Sequence, residues 1–304
     1  MVHQVELVLK FKCFDDVFSS GVFKRVYEVM GCVNGLICFY SDYSGHPALY
    51  DSSVPYYICN PVTREYITLP KSPKFEVAPA VMGFGFDPVS NEYKVVRVLQ
   101  GDSSRILSLK AEAEIYTLGS KKWRGIDNVP YITNTPPKNV LVNGCLHWVS
   151  FENVENLHSL YIVCFNVGKE EFGAMKPPPY TDGDTEHKNM FKNLGVVGGC
   201  LCFIDGNFSD YNELWVMTDY GVQGSWVKQC VLKKALYGWL LHGDYEFIKL
   251  RSGELLLLRG QKETGYYNPT EDTFRPITID GIPRVEFRVI VQMGSLFSRR
   301  MFIS

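Results

Sequence analysis

Residues able to do chemistry are present in this chain, but few are spaced to do it together. His46, His147, His158, His187 and His242 are scattered along 304 residues. His147 stands inside the apolar run CLHWV, where a satisfied structural imidazole is the ordinary reading and a general base the exceptional one. The carboxylates of Asp182-Gly183-Asp184-Thr185-Glu186 resemble half of a calcium loop. The bidentate glutamate and the sharp-turn glycine are not at the required offsets, so this run reads as a solvated loop. Gly83-Phe84-Gly85 precedes no helical pattern and carries no dinucleotide-binding meaning. Nine cysteines, an odd number, lie mostly in apolar segments, among them Cys38, Cys59, Cys145, Cys164 and Cys230. Buried free cysteine behaves as a small hydrophobe. Cys200 and Cys202 have the strand period and share one face, but no C-x-x-C partner or spaced histidines complete a zinc site. Asp87, Asp205 and Glu213 are carboxylates that would suit a glycosidase if two of them faced each other across a channel. The sequon Asn207-Phe208-Ser209 has no secretory route to make it useful. The expectation is a protein with no catalytic residues, no metal and no cofactor.

The elements that must position these residues repeat about every fifty positions, and such a period outranks other fold signals. One kind of hairpin turns at Asn34-Gly35, Asn143-Gly144, Gly198-Gly199 and Ser252-Gly253, with successive second glycines 109, 55 and 54 residues apart. The double gap is filled by GFGFDPVSNEYKVVRV. A second kind of hairpin alternates with the first: YYICNPVTREYITLP, AEIYTLGSKKWRGI, YIVCFNVGKEEFGAM, LWVMTDYGVQGSWVK and GYYNPTEDTFRPITI. Five copies of two hairpins predict an all-β fold, a β-propeller of four-stranded antiparallel blades. Asn-Gly turns suit the inner hairpins because type I′ geometry needs positive φ at both central residues. Tyr66, Trp123, Phe172, Trp226 and Phe274 recur once per repeat and read as packing between blades. Apolar stretches at residues 4–12 and 285–298 remain outside the repeats. They predict a sixth, composite blade closed by both termini, with a five-bladed ring as the alternative.

A formal charge of −2 and a pI near 6.3 leave no electrostatic footprint for nucleic acid or an anionic membrane. No apolar stretch reaches the ~18 residues of a membrane span, and the start MVHQVELVLKFK lacks the parts of a signal peptide. Localisation in the cytoplasm or nucleus is expected. So is a monomer with one domain over residues 1–304, because no linker divides the chain.

In order, GCVNGLICF, YICNPVTREYITLP, GFGFDPVSNEYKVVRV, AEIYTLGSKKWRGI, VNGCLHWVSF, IVCFNVGKEEF, GGCLCFI, ELWVMTDYGVQGSWVK, YYNPTEDTFRPITI and RVEFRVIVQMGSLFS resemble the F-box-associated domain of plant F-box proteins of the kelch-like and S-locus groups. The resemblance covers residues 27 to 298. It implies a substrate receptor, in which an F-box docks on the Skp adaptor of an SCF-type ubiquitin ligase while the propeller holds the target protein to be ubiquitinated. The segment VELVLKFKCFDDVFSSGVFKRVYEV has strand alternation and no F-box signature. Skp and cullin are therefore expected partners only where an F-box is supplied elsewhere. A free-standing protein-binding propeller is the alternative. A propeller glycosidase is disfavoured by the missing signal peptide and the odd cysteine count. The longest and least repeat-like connections, Ser41–Pro55, Gly101–Lys110, Glu152–His158 and Tyr180–Lys192, are the candidate protein-binding loops. Their candidate contacts are Tyr43, His46, Tyr50, Arg105, His158, Tyr180, Asp182, Asp184 and His187, with the turns at Asn60 to Arg64 and Asn268 to Asp272 as the fallback.

Overall fold

Strands apolar on both faces must be covered twice, and stacking four-stranded sheets against one another does this. The computed structural model describes residues 25–43, 55–74, 79–99, 111–130, 139–151, 160–179, 191–206, 211–233, 245–249, 253–259 and 264–277. Blade 1 holds β1 (Arg25–Val33), β2 (Leu36–Tyr43), β3 (Tyr56–Asn60) and β4 (Glu65–Thr68). Blade 2 holds β5 (Pro79–Asp87), β6 (Glu92–Leu99), β7 (Glu112–Thr117) and β8 (Trp123–Ile126). In blade 3 these are β9 (Val140–Val142), β10 (Cys145–Phe151), β11 (Leu160–Asn166) and β12 (Glu171–Met175). In blade 4 they are β13 (Phe191–Val197), β14 (Cys200–Gly206), β15 (Tyr211–Met217) and β16 (Trp226–Lys233). Blade 5 comprises β17 (Tyr245–Lys249), β18 (Leu255–Arg259), β19 (Thr264–Asn268) and β20 (Thr273–Ile277). Every pairing is antiparallel and every sheet keeps its strands in chain order.

The expected count of six blades is therefore corrected to five, the stated alternative. Each sheet is filled by four consecutive strands, so none among the described residues waits for a strand from the far end of the chain. Segments 4–12 and 285–298 lie outside the described residues.

The strand period sorts β2 of blade 1 cleanly. Leu36 and Cys38 pack against Met82, Phe84 and Trp123 of blade 2, while Ile37 and Phe39 face the other way with Cys59. Corresponding clusters join blades 2 and 3 through Val96, Ile115, Trp148 and Phe165, and blades 3 and 4 through Ile162, Phe203 and Trp226. Cys202, Leu214, Leu255 and Tyr267 join blades 4 and 5. The recurring aromatics at the start of the fourth strand face the preceding blade. Trp123 and Trp226 are buried there, and each indole N–H reaches across to a main-chain carbonyl, of Pro70 at 2.8 Å and of Lys176 at 3.3 Å. Tyr66 departs from the expectation, at 44% exposure. It occupies the same position in the first blade, which no described blade precedes.

Turn chemistry follows the expected geometry. Asn34 and Gly35 have φ of 48° and 80°, and Asn143 and Gly144 have 52° and 72°, the left-handed pair that a type I′ turn requires. In blades 1, 3 and 5 the outer turn is held by an asparagine at the end of the third strand. The Asn60 side-chain oxygen accepts from the Val62 N–H at 2.9 Å, and that of Asn268 accepts from the Thr270 N–H at 2.9 Å.

Gly83-Phe84-Gly85 has a packing reason. Phe84 faces blade 1, and the two glycines let blade 3 come close on the opposite face. A β-carbon at Gly85 would lie 2.6 Å from a methyl of Val167, and one at Gly83 would lie 2.7 Å from a methyl of Leu146. Gly85→Ala is expected to cost about 1–3 kcal/mol, the usual range for overpacking. Urea unfolding checks this, and an unchanged midpoint would refute the close approach.

Candidate protein-recognition face

Among the described residues, His147, Asp87, Glu213, Cys38 and Cys59 are committed to structure. His147 is fully buried on β10, with Nδ1 3.2 Å from the Val140 carbonyl and Nε2 2.8 Å from the Tyr220 hydroxyl. Burial pushes its pKa down to about 4, against weaker opposing hydrogen bonds from the backbone. A neutral imidazole sealed from solvent cannot shuttle protons. Asp87 caps its own turn: its carboxylate accepts from the Val89 N–H at 3.0 Å and from the Ser90 hydroxyl at 2.7 Å. The Ser90 hydrogen bond, with help from that backbone N–H, holds the carboxyl below its ordinary value. Glu213 accepts from Lys228 at 2.6 Å and from the Trp215 indole at 2.9 Å. The side chain of Asp205 lies outside the described residues. Burial raises the Cys59 thiol to about 12 and raises Cys38 as well, which removes them as nucleophiles near neutral pH. Among the described residues no three histidine, cysteine or acidic side chains are grouped to hold a metal ion.

Two buried charge groups were not singled out from the sequence, and both bind blade to blade. Arg97, 1% exposed, lies 3.3 Å from Glu114 on the neighbouring strand, and the Ser72 hydroxyl of the segment leaving blade 1 donates to the same carboxylate. Its guanidinium lies 5.3 Å from the ring centre of Tyr56 and 5.6 Å from that of Trp123, within cation–π range. Lys94 of blade 2 donates to the Val167 carbonyl at 3.2 Å and pairs with Glu170 at 2.9 Å, both in the outer turn of blade 3. The available signal was a charge interrupting an otherwise apolar strand, as in EYKVVRVL.

Antiparallel order fixes where the connections leave. In each blade the first-to-second and third-to-fourth turns lie at one edge of the sheet. The second-to-third connection and the exit from the fourth strand lie at the opposite edge. Three candidate loops span second-to-third connections, after β2, β6 and β10, and the other follows β12 on the way to β13. All four leave from the same kind of edge. The fallback turns, Asn60 to Arg64 and Asn268 to Asp272, lie at the other. Second-to-third connections run to twelve, twelve and eight residues in blades 1 to 3, but to four in each of blades 4 and 5. Long second-to-third connections are thus concentrated on three consecutive blades. Of the candidate contacts, Tyr43 ends β2, with its side chain outside the description. His46, Tyr50, Arg105, His158, Tyr180, Asp182, Asp184 and His187 lie outside the described residues.

Five consecutive four-stranded antiparallel sheets, each stacked against the next, define a β-propeller. Residues 11–301 match the F-box associated beta propeller domain, and the chain belongs to that family. F-box protein At3g07870 of Arabidopsis thaliana is 30% identical over 95% of this chain and 74% of its own length. F-box protein CPR1 and F-box/kelch-repeat protein At3g23880 of the same plant are each 29% identical, over 68% and 66% of this chain. The chain spans 52% of the length of each of those two. Among solved structures, a puromycin hydrolase aligns at a TM-score of 0.44 with 11% identity, over 85% of this chain and 39% of that one. Among the described residues no helix is long and apolar enough to cross a membrane.

Proposed function

We propose that this chain is the substrate-recognition domain of an F-box protein in an SCF-type ubiquitin ligase, acting by binding and not by catalysis. The match of nearly the whole chain to the F-box associated propeller family carries the reading, and the relatives named as F-box proteins support it. The propeller is one unit over residues 1–304 that works as a monomer in the cytoplasm or nucleus. Its partners are a target protein and, through an F-box supplied elsewhere, the Skp adaptor and cullin. The target is held at the connection-bearing edge of blades 1 to 3, by residues among Tyr43, His46, Tyr50, Arg105, His158, Tyr180, Asp182, Asp184 and His187. Aromatic rings mixed with charge suit a protein interface with a polar rim.

The test grafts an F-box onto the chain and replaces the four connections with short Gly-Ser turns. Both proteins should precipitate the adaptor and share one circular dichroism spectrum. Only the parent should capture a target from plant extract and promote its ubiquitination. Capture undiminished in the loop-swapped protein would move the site to the turns at Asn60 to Arg64 and Asn268 to Asp272. Failure of the parent to support ubiquitination of anything it captures would remove the ligase role.

A further inference from the structure

We infer that Asn139 is an axial clasp that ties blade 1 to blade 3 across the intervening blade and makes blades 1 to 3 one cooperative unit. Its side-chain amide nitrogen lies 2.7 Å from the Met30 carbonyl on β1 and 2.7 Å from the Met82 carbonyl on β5, while the residue itself immediately precedes β9. Both partners are carbonyls, which only accept, so the NH₂ end of the amide must face them and its two protons are both used. The acceptor on β1 is prepared by a bulge. The β1–β2 register shifts between Val29 and Gly31, which leaves Met30 as the extra residue and turns it out of the ladder. The acceptor on β5 takes a second donor from blade 3, the Trp148 indole N–H at 3.2 Å.

In a repeat array each unit ordinarily touches only its neighbours, and stability is a sum of nearest-neighbour terms. A bond from blade 3 to blade 1 adds a term that skips a unit. Opening blade 1 then breaks a bond to blade 3, and opening blade 3 exposes carbonyls on both other blades. The clasped blades are also the three with long second-to-third connections.

Hydrogen exchange read by mass spectrometry tests this on the full chain. Asn139→Asp keeps the shape but replaces both donors with an acceptor. Exchange in 25–43 and 79–87 should rise on the order of tenfold, as expected for losing two hydrogen bonds, with 211–233 unchanged. Gly85→Ala is the comparison, because it strains only the contact between blades 2 and 3. It should raise exchange in 79–87 and 160–175 while leaving 25–43 near the parent. If Asn139→Asp fails to fold, Asn139→Ala gives the same comparison. Unaltered protection of 25–43 in the Asn139 variant, or an equal rise in all five blades, would overturn the clasp.

Discussion

Trp123→Ala should lower the stability of the folded chain by about 3–5 kcal/mol, the range for emptying a large buried aromatic site. The indole fills the space between blades 1 and 2, edge-on to Tyr56 with centroids 6.0 Å apart and tilted against Tyr116 at 5.4 Å. Truncation also strands the Pro70 carbonyl that its N–H satisfies, and uncovers one face of the buried Arg97 guanidinium. Trp123→Phe should recover most of the packing but not the hydrogen bond, and so fall between parent and alanine. Guanidinium unfolding monitored by far-UV circular dichroism reads the series. A loss under 1 kcal/mol for the alanine variant would mean that the indole is not interior.

His147 should make the fold acid-sensitive in a defined window. Its ordinary pKa near 6.5 falls to about 4 in the folded chain because burial disfavours the imidazolium. Above pH 6.5 the residue is neutral in both states and its folded contribution is complete. Between 6.5 and about 4 the unfolded chain binds a proton that the folded chain refuses, so stability falls as pH falls; below about 4 the loss from this residue is complete. The full effect is roughly 3 kcal/mol. His147→Gln should be less stable than the parent at pH 7 but should lose correspondingly less between pH 7 and 4. Carboxylates titrate in both proteins and cancel in the comparison. Parallel stability-against-pH curves would show that the imidazole does not titrate as described.

Much of this architecture was legible because its determinants are local. Asn34-Gly35 and Asn143-Gly144 announce their turns by backbone chemistry alone, and Trp123 and Trp226 each open the fourth strand of their repeat. The number of blades was harder to read, because the apolar segments 4–12 and 285–298 looked like strands needing a sheet. Nothing local says that consecutive strands already fill every blade. Asn139 was hidden for a related reason. It sits in the turn-like run TNTPPKN, while its acceptors are main-chain carbonyls 109 and 57 residues away. Arg97 and Glu114 face each other across adjacent strands, a register that appears only once β6 and β7 are paired. The proposed recognition residues obey no period at all. Mixed aromatic and charged loops mark a surface by composition, without saying which side chains converge on it.

The cross-blade bonds of the Trp123, Trp226, Asn139 and Trp148 side chains all end on main-chain carbonyls. A carbonyl is supplied by whatever residue occupies the position, so mutation there leaves the acceptor in place. Only the donor side is chemically particular. The acceptor positions can therefore change residue without loss of these bonds, while a handful of donors keeps successive blades in register. A domain held this way is free to diversify its outer connections quickly, as a lineage acquiring new targets would require. In a comparison of many descendants, the donor positions should be the slow sites and their acceptors the fast ones.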